Sequence, residues 1–239
     1  MLEANKIYNI DAIDGLKQLD DESVDAFITS PPFNLRLGSN GKPKKLSSGP
    51  KWKNYKLQSG YNVYNDAKPH DEYVLWQKTI LSECWRCLKS TGAIFYNHKP
   101  IIRNGKSILP TSYLPPEVNL RQIITWKRSG GYNFNDSFYL PTTEWILLIC
   151  KPDFKLKSVG AAGIKDIWEF SCDKNNSHPA PFPIDLPRNV LETIKHKNIV
   201  VDPFMGSGTT ALACKEVGSN YIGFDISKEY CEIAESRLC

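Results

Sequence analysis

One stretch limits the fold more than any other: NIVVDPFMGSGTTALACKEVGSNYIGFDIS, residues 198–227. An apolar strand pattern, IVV, runs into a glycine turn, Gly206-x-Gly208, and a helix opens at Thr209 and Thr210. A second strand follows and ends in Asp225, seventeen residues after Gly208. That length is what one strand, a tight turn, a crossing helix and a neighbouring strand require. A chain built on such a unit belongs to the open α/β folds.

The rest of the sequence repeats the alternation. Strand patterns occupy 6–11, 24–30, 92–98, 122–127, 144–150, 198–204 and 221–226, and several are apolar at nearly every position, as strands buried on both faces are. Helical patterns lie between them, in AIDGLKQL and at 71–88, 186–195, 209–218 and 228–238. The expectation is one α/β domain over 1–239, with seven strands in a mostly parallel sheet and helices on both faces. No internal repeat is present.

Two stretches depart from this pattern and read as insertions. Residues 34–70 form a basic loop, free of Asp and Glu from 34 to 65, with Lys42, Lys44, Lys45, Lys51 and Lys53 interleaved with Trp52 and tyrosines. Residues 103–140 surround one strand with Gly, Pro, Asn and aromatics. Long loops in a compact domain usually carry function or lack order. A net charge of +4 permits a polyanionic partner without demanding one, so the location of the charge matters more than its sum. The chain opens MLEANKIYNID, with no basic leader ahead of an apolar stretch, and its longest apolar run is WILLIC. A soluble, cytoplasmic protein with no membrane partner is expected. Seven scattered cysteines suit reduced thiols, and the CWRC at 84–87 has no second ligand pair, so core cysteines are expected and no metal site.

The glycine turn also suggests a ligand. Glycines let the backbone approach it closely, free N–H groups at the helix start favour its negative end, and Asp225 can accept both hydroxyls of a ribose. Asp202, Phe204, Gly206, Gly208, Thr209 and Thr210 line this candidate cofactor site. A dinucleotide is the rival ligand, but Ala211 stands where a third glycine would be expected.

Near the other end of the chain, VDAFITS runs directly into Pro31, Pro32 and Phe33. Together, TSPPF and DPFMGSGTT with its downstream acidic strand end resemble the S-adenosylmethionine-dependent amino DNA methyltransferases, across 6–33 and 71–238. The catalytic motif precedes the cofactor motif here, as in the family's β class. The resemblance implies a Rossmann-like methyltransferase fold, circularly permuted, with S-adenosylmethionine as cofactor and double-stranded DNA as partner. It also brings in a homodimer and a cognate restriction endonuclease as candidate partners. By the same resemblance Asp11 maps near the cofactor adenine, and His178 and Phe182 fall beside its methionine moiety, where His178 is read as structural.

Within that family Ser30, Pro31, Pro32 and Phe33 form the catalytic turn. The Ser30 hydroxyl and the Pro31 carbonyl each take one N–H of an exocyclic amine, and Phe33 stacks on a base flipped out of the duplex. Proline supplies no competing N–H and keeps the turn rigid. A serine at the first position points to cytosine N4, with adenine N6 as the alternative. The lysine loop would follow the phosphates, with Trp52 or a tyrosine filling the gap left by the base. Residues 103–140 are the candidate target-recognition region, where Lys127, Arg128 and Asn135 would reach base edges. An enzyme acting on RNA or a protein amide, and a silent nucleic-acid-binding module, are the other readings.

Overall fold

The computed structural model describes residues 2–35, 63–128, 136–157, 163–171 and 182–239. Among these, strands β1 (Lys6–Asn9), β2 (Val24–Thr29), β3 (Leu88–His98), β6 (Leu120–Arg128), β7 (Thr143–Cys150), β8 (Ile167–Phe170), β9 (Ile199–Asp202) and β10 (Asn220–Asp225) form one sheet in the order β1-β10-β9-β2-β3-β7-β6-β8. Only β7 runs against the others. Five helices complete the alternation: α1 (Ala12–Leu16), α2 (His70–Cys87), α3 (Asp185–Thr193), α4 (Thr209–Val217) and α5 (Lys228–Leu238).

Two-residue periodicity splits the core into two halves. Ala26 and Ile28 of β2, with Val200 of β9, pack on α3, α4 and α5 through Val190, Ala211 and Ala234. Phe27 and Val201 face the other way, onto Leu16 of α1 and Ile80 and Cys84 of α2. Both sides of the central strands are therefore dry, which explains why all six residues of β2 are buried. Cys84 and Cys87 lie in that second core as free thiols. Among the described residues, no helix is long and apolar enough to cross a membrane.

Two features differ from the sequence reading. The sheet has eight strands, because Ile167–Phe170 adds an edge strand parallel to β6. Only four residues long, with Trp168 turned inward and Ile167 59% exposed, it carries too few alternations to stand out. The second feature is a hairpin of β4 (Ile101–Arg103) and β5 (Lys106–Ile108), followed by a single 3-10 turn at Pro110–Tyr113 that buries Pro110 and Tyr113. The start of the 103–140 insertion thus packs against α2 through Tyr113 and Tyr73.

Candidate active site

The carboxyl ends of β1, β10, β9, β2 and β3 meet along one edge of the sheet, where open parallel sheets hold their ligands. The turn Ser30–Asn34 leaves β2 there, with Pro31 and Pro32 buried and Asn34 in the left-handed region at φ 55°. Tyr73 of α2 fixes it from behind by donating its hydroxyl to the Pro32 carbonyl at 2.7 Å. The Pro31 carbonyl is not used by this network.

Ser30 is held from the side. The Asn97 amide nitrogen donates to Ser30 Oγ at 3.2 Å and to Glu144 Oε2 at 2.9 Å, and Glu144 Oε1 pairs with Arg128 at 3.0 Å. A carboxylate can only accept, so Glu144 determines which end of the Asn97 amide faces Ser30. Ser30 keeps one lone pair and its own proton for a ligand.

Phe33 is half-buried, its ring 4.3 Å from the His98 imidazole at an angle of 32°. His98 Nε2 lies 2.9 Å from the Tyr73 hydroxyl and Nδ1 lies 2.9 Å from the Lys99 carbonyl. Burial pushes His98 down to about 3, so the ring is neutral at physiological pH. Its one N–H serves the Lys99 carbonyl, which can only accept, and Nε2 then shares the Tyr73 proton with the Pro32 carbonyl. Gln77 donates to the Tyr73 oxygen and accepts from Tyr96, both at 2.8 Å, closing a buried network behind the turn.

The glycine turn sits next to this one, because β9 pairs with β2. Gly206 and Gly208 have φ of 52° and 81°. A Cβ on Gly208 would lie 2.8 Å from that of Ala234, so α5 packs against the bare backbone. Arg237 of α5 supports the turn from below through the Ser207 carbonyl and hydroxyl. Asp225 accepts from Gly206 N through one oxygen and from Ser227 N through the other, each at 2.8 Å. A carboxylate has further lone pairs, and this one is half-buried, with burial holding its pKa above the ordinary range. Beyond it Ile226 presents an apolar side chain, 47% exposed.

Asp202 ends β9 between the two turns. It is buried, and its oxygens accept from Thr29 at 2.8 Å, Phe204 N at 3.0 Å and Thr210 at 2.6 Å. Asp202 and the buried Thr210 hydroxyl tie the residue before Ser30 to the first turn of α4. Burial raises Asp202 to about 6, against the pull of its three donors. A carboxyl whose folded pKa exceeds its unfolded one contributes stability in acid, and that contribution is lost as pH rises through about 6. The stability of wild type relative to Asp202→Asn is therefore expected to fall by up to about 1.4 kcal/mol per pH unit between pH 4 and 6, read from denaturant melts.

The other predicted residues spread more widely. Asp11 caps α1, accepting from Ile13 N at 2.8 Å, two residues after β1, whose last residue Asn9 pairs with Asp225. Phe204 packs edge-on against Trp76 of α2, with centroids 5.5 Å apart. Thr209 is buried, 3.5 Å from Arg237. Arg128 pairs with Glu144 at 3.0 Å, whereas Lys127 is exposed and pairs with Glu169 at 3.1 Å. Phe182 packs on the first core. Lys42, Lys44, Lys45, Lys51, Trp52, Lys53, Asn135 and His178 lie outside the described residues.

The N6/N4 methyltransferase family model, described as DNA methylase, matches residues 24–236, a span that contains both turns. The chain belongs to this family of DNA methyltransferases. Type II methyltransferase M.BglII of Bacillus subtilis is 30% identical over 98% of the chain and 69% of its own length. Type II methyltransferase M.HpaI of Haemophilus parainfluenzae is 31% identical over 95% of the chain and 72% of its own length. In fold, the chain resembles the PvuII DNA methyltransferase, named as cytosine-N4-specific, with a TM-score of 0.73 at 19% identity over 98% and 86% of the two chains. It also resembles the M1.HpyAVI–SAM complex, with a TM-score of 0.62 at 23% identity over 98% and 99%.

Four residues of this methyltransferase's site were not anticipated: Tyr73, Asn97, His98 and Glu144. Asn97 and His98 end the otherwise apolar strand GAIFYNH, and Glu144 opens EWILLIC. A polar side chain at the ligand-side end of a buried strand is the signal that marks them. Tyr73→Phe removes the donor to Pro32 and leaves Gln77 and His98 without their partner. It is expected to lower stability by about 1–3 kcal/mol, seen as a lower midpoint in a urea melt, and to slow methyl transfer.

Proposed function

We propose that this methyltransferase moves the methyl group of S-adenosylmethionine to the N4 amine of a cytosine flipped out of duplex DNA. The carrying observation is the placement of Ser30 and the Pro31 carbonyl at the end of β2, one strand from the glycine turn and tied to it by Asp202. Around the cofactor, Asp225 takes the ribose hydroxyls, Ile226 walls the adenine and Asp11 stands at its far edge. The start of α4, capped by Gly208 with no side chain bonded to it, offers N–H groups to the negative end. Bound there, the sulfonium supplies the methyl group.

The amine of a base is a poor nucleophile because its lone pair is delocalised into the ring. Ser30 Oγ takes one N–H with its remaining lone pair and the Pro31 carbonyl takes the other, which draws the amine out of conjugation. Phe33, backed by His98, stacks on the base. Most of the remaining acceleration comes from holding amine and methyl at about 3–3.5 Å.

Ser30 at the head of the motif and the fold likeness to a cytosine-N4-specific enzyme favour cytosine over adenine. Digestion of DNA methylated by the purified protein, followed by mass identification of the nucleoside, is expected to give N4-methylcytosine. N6-methyladenine would keep the mechanism and reject the choice of base. The names of the Type II relatives support a partner restriction endonuclease, and a DNA substrate fits a cytoplasmic protein. The lysines of 34–70 are assigned to phosphates and a homodimer is kept as the assembly to test.

A further inference from the structure

Three basic residues contact the end of the catalytic turn. Arg103 donates to the Asn34 carbonyl at 2.8 Å, and Lys68 accepts from the Asn34 side chain through its own carbonyl while its ammonium lies over Tyr64 and Trp76. The third, Lys99, follows β3 directly, and its ammonium lies 5.9 Å from the centre of the Phe33 ring. Lys99 is half-buried, and no carboxylate among the described residues comes within ion-pair distance of it. Glu144 and Asp66 attract it from further off, but Glu144 is already shared between Arg128 and Asn97, and Asp66 accepts from Leu35 N. Burial accordingly holds the Lys99 ammonium below its ordinary pKa. An ammonium withdrawn from water without an anion is costly, and such a group commonly waits for a charged ligand.

Two anions come to this site, the carboxylate of the cofactor and the phosphodiesters of DNA. The sheet order separates them. β3 is two strands from β9 with β2 between, so at strand spacing Lys99 stands about 10 Å from the strand of the glycine turn, on the far side of Ser30. That is the side on which Phe33 waits for the base.

We propose that Lys99 binds the phosphodiester of the flipped nucleotide and so holds the base in the pocket. The assignment rests on the reading of the protein as a base-flipping enzyme, and the test separates the two. Once the methylated site has been mapped, binding of wild type, Lys99→Gln and Lys99→Arg to a short duplex carrying it is measured against salt. A duplex of equal length without the site serves as the comparison, and cofactor affinity and thermal midpoints are taken in parallel.

Lys99→Gln is expected to weaken binding several-fold on the target duplex and to flatten the slope of log affinity against log salt by about 1. On the other duplex it should change neither, cofactor affinity should hold, and Lys99→Arg should recover most of the loss. Equal losses on both duplexes would make Lys99 a general surface cation and overturn the proposal. A loss of cofactor affinity would assign it to the carboxylate, and a fall in kcat with an unchanged slope would assign it to proton transfer; either overturns it as well. Wild type that methylates no DNA would instead reject the functional reading, whatever Lys99 does.

Discussion

Ser30→Ala is expected to lower the rate of methyl transfer by about 10²–10³-fold and to leave cofactor affinity unchanged. The estimate comes from removing one preorganised hydrogen bond to a reacting group, worth about 2.7–4 kcal/mol of barrier. Preorganisation applies because Ser30 does not choose its own orientation. Glu144 fixes the Asn97 amide, and Asn97 fixes the Ser30 oxygen. The loss should therefore appear in kcat under single-turnover conditions rather than in KM for DNA. Glu144→Gln is a graded companion, since a glutamine can present either end of its amide to Asn97 and the orientation of Ser30 is no longer unique. An activity of Ser30→Ala within a few-fold of wild type would remove the hydroxyl from the chemistry.

Gly208→Ala is the second large effect, and it acts on the cofactor. The residue has φ 81°, a conformation costing a side-chain-bearing residue about 1–2 kcal/mol, and its new Cβ would meet Ala234 Cβ at 2.8 Å and Cα at 3.1 Å. Ala234 has no side chain to swing aside, so α5 must shift, at about 1–3 kcal/mol for an overpacked contact. The free turn of the variant relaxes out of this shape and binding must restore it, so cofactor affinity is expected to fall by roughly thirtyfold or more, measurable by calorimetry. Adding Ala234→Gly removes the nearer clash but not the strained φ, so partial recovery is expected. Full affinity in Gly208→Ala would mean that the glycine turn does not have to keep this shape to bind.

Both turns were legible before the fold was known because each combines a local signal with a place. Pro31-Pro32 and Gly206-x-Gly208 each follow a strand that is apolar at nearly every position, and the ends of such strands are where an open sheet binds ligands. The supporting residues were not legible, for a different reason. Asn97 and Glu144 are 47 positions apart in the chain and meet only because β3 and β7 pair antiparallel, a register no local pattern encodes. Tyr73 reaches Pro32 across 41 positions. The bond from Thr29 to Asp202 spans 173 positions and was hidden for the same reason. Local sequence placed the two turns, and long-range packing determined which neighbours hold them rigid.

A crystal structure with S-adenosylmethionine bound would test most directly the claim that these turns form one methyl-transfer site. The account predicts ribose hydroxyls on Asp225, the adenine against Ile226 and the sulfonium methyl directed at the space between Ser30 Oγ and the Pro31 carbonyl. A methyl group pointing away from that space, or a cofactor held clear of the glycine turn, would contradict it.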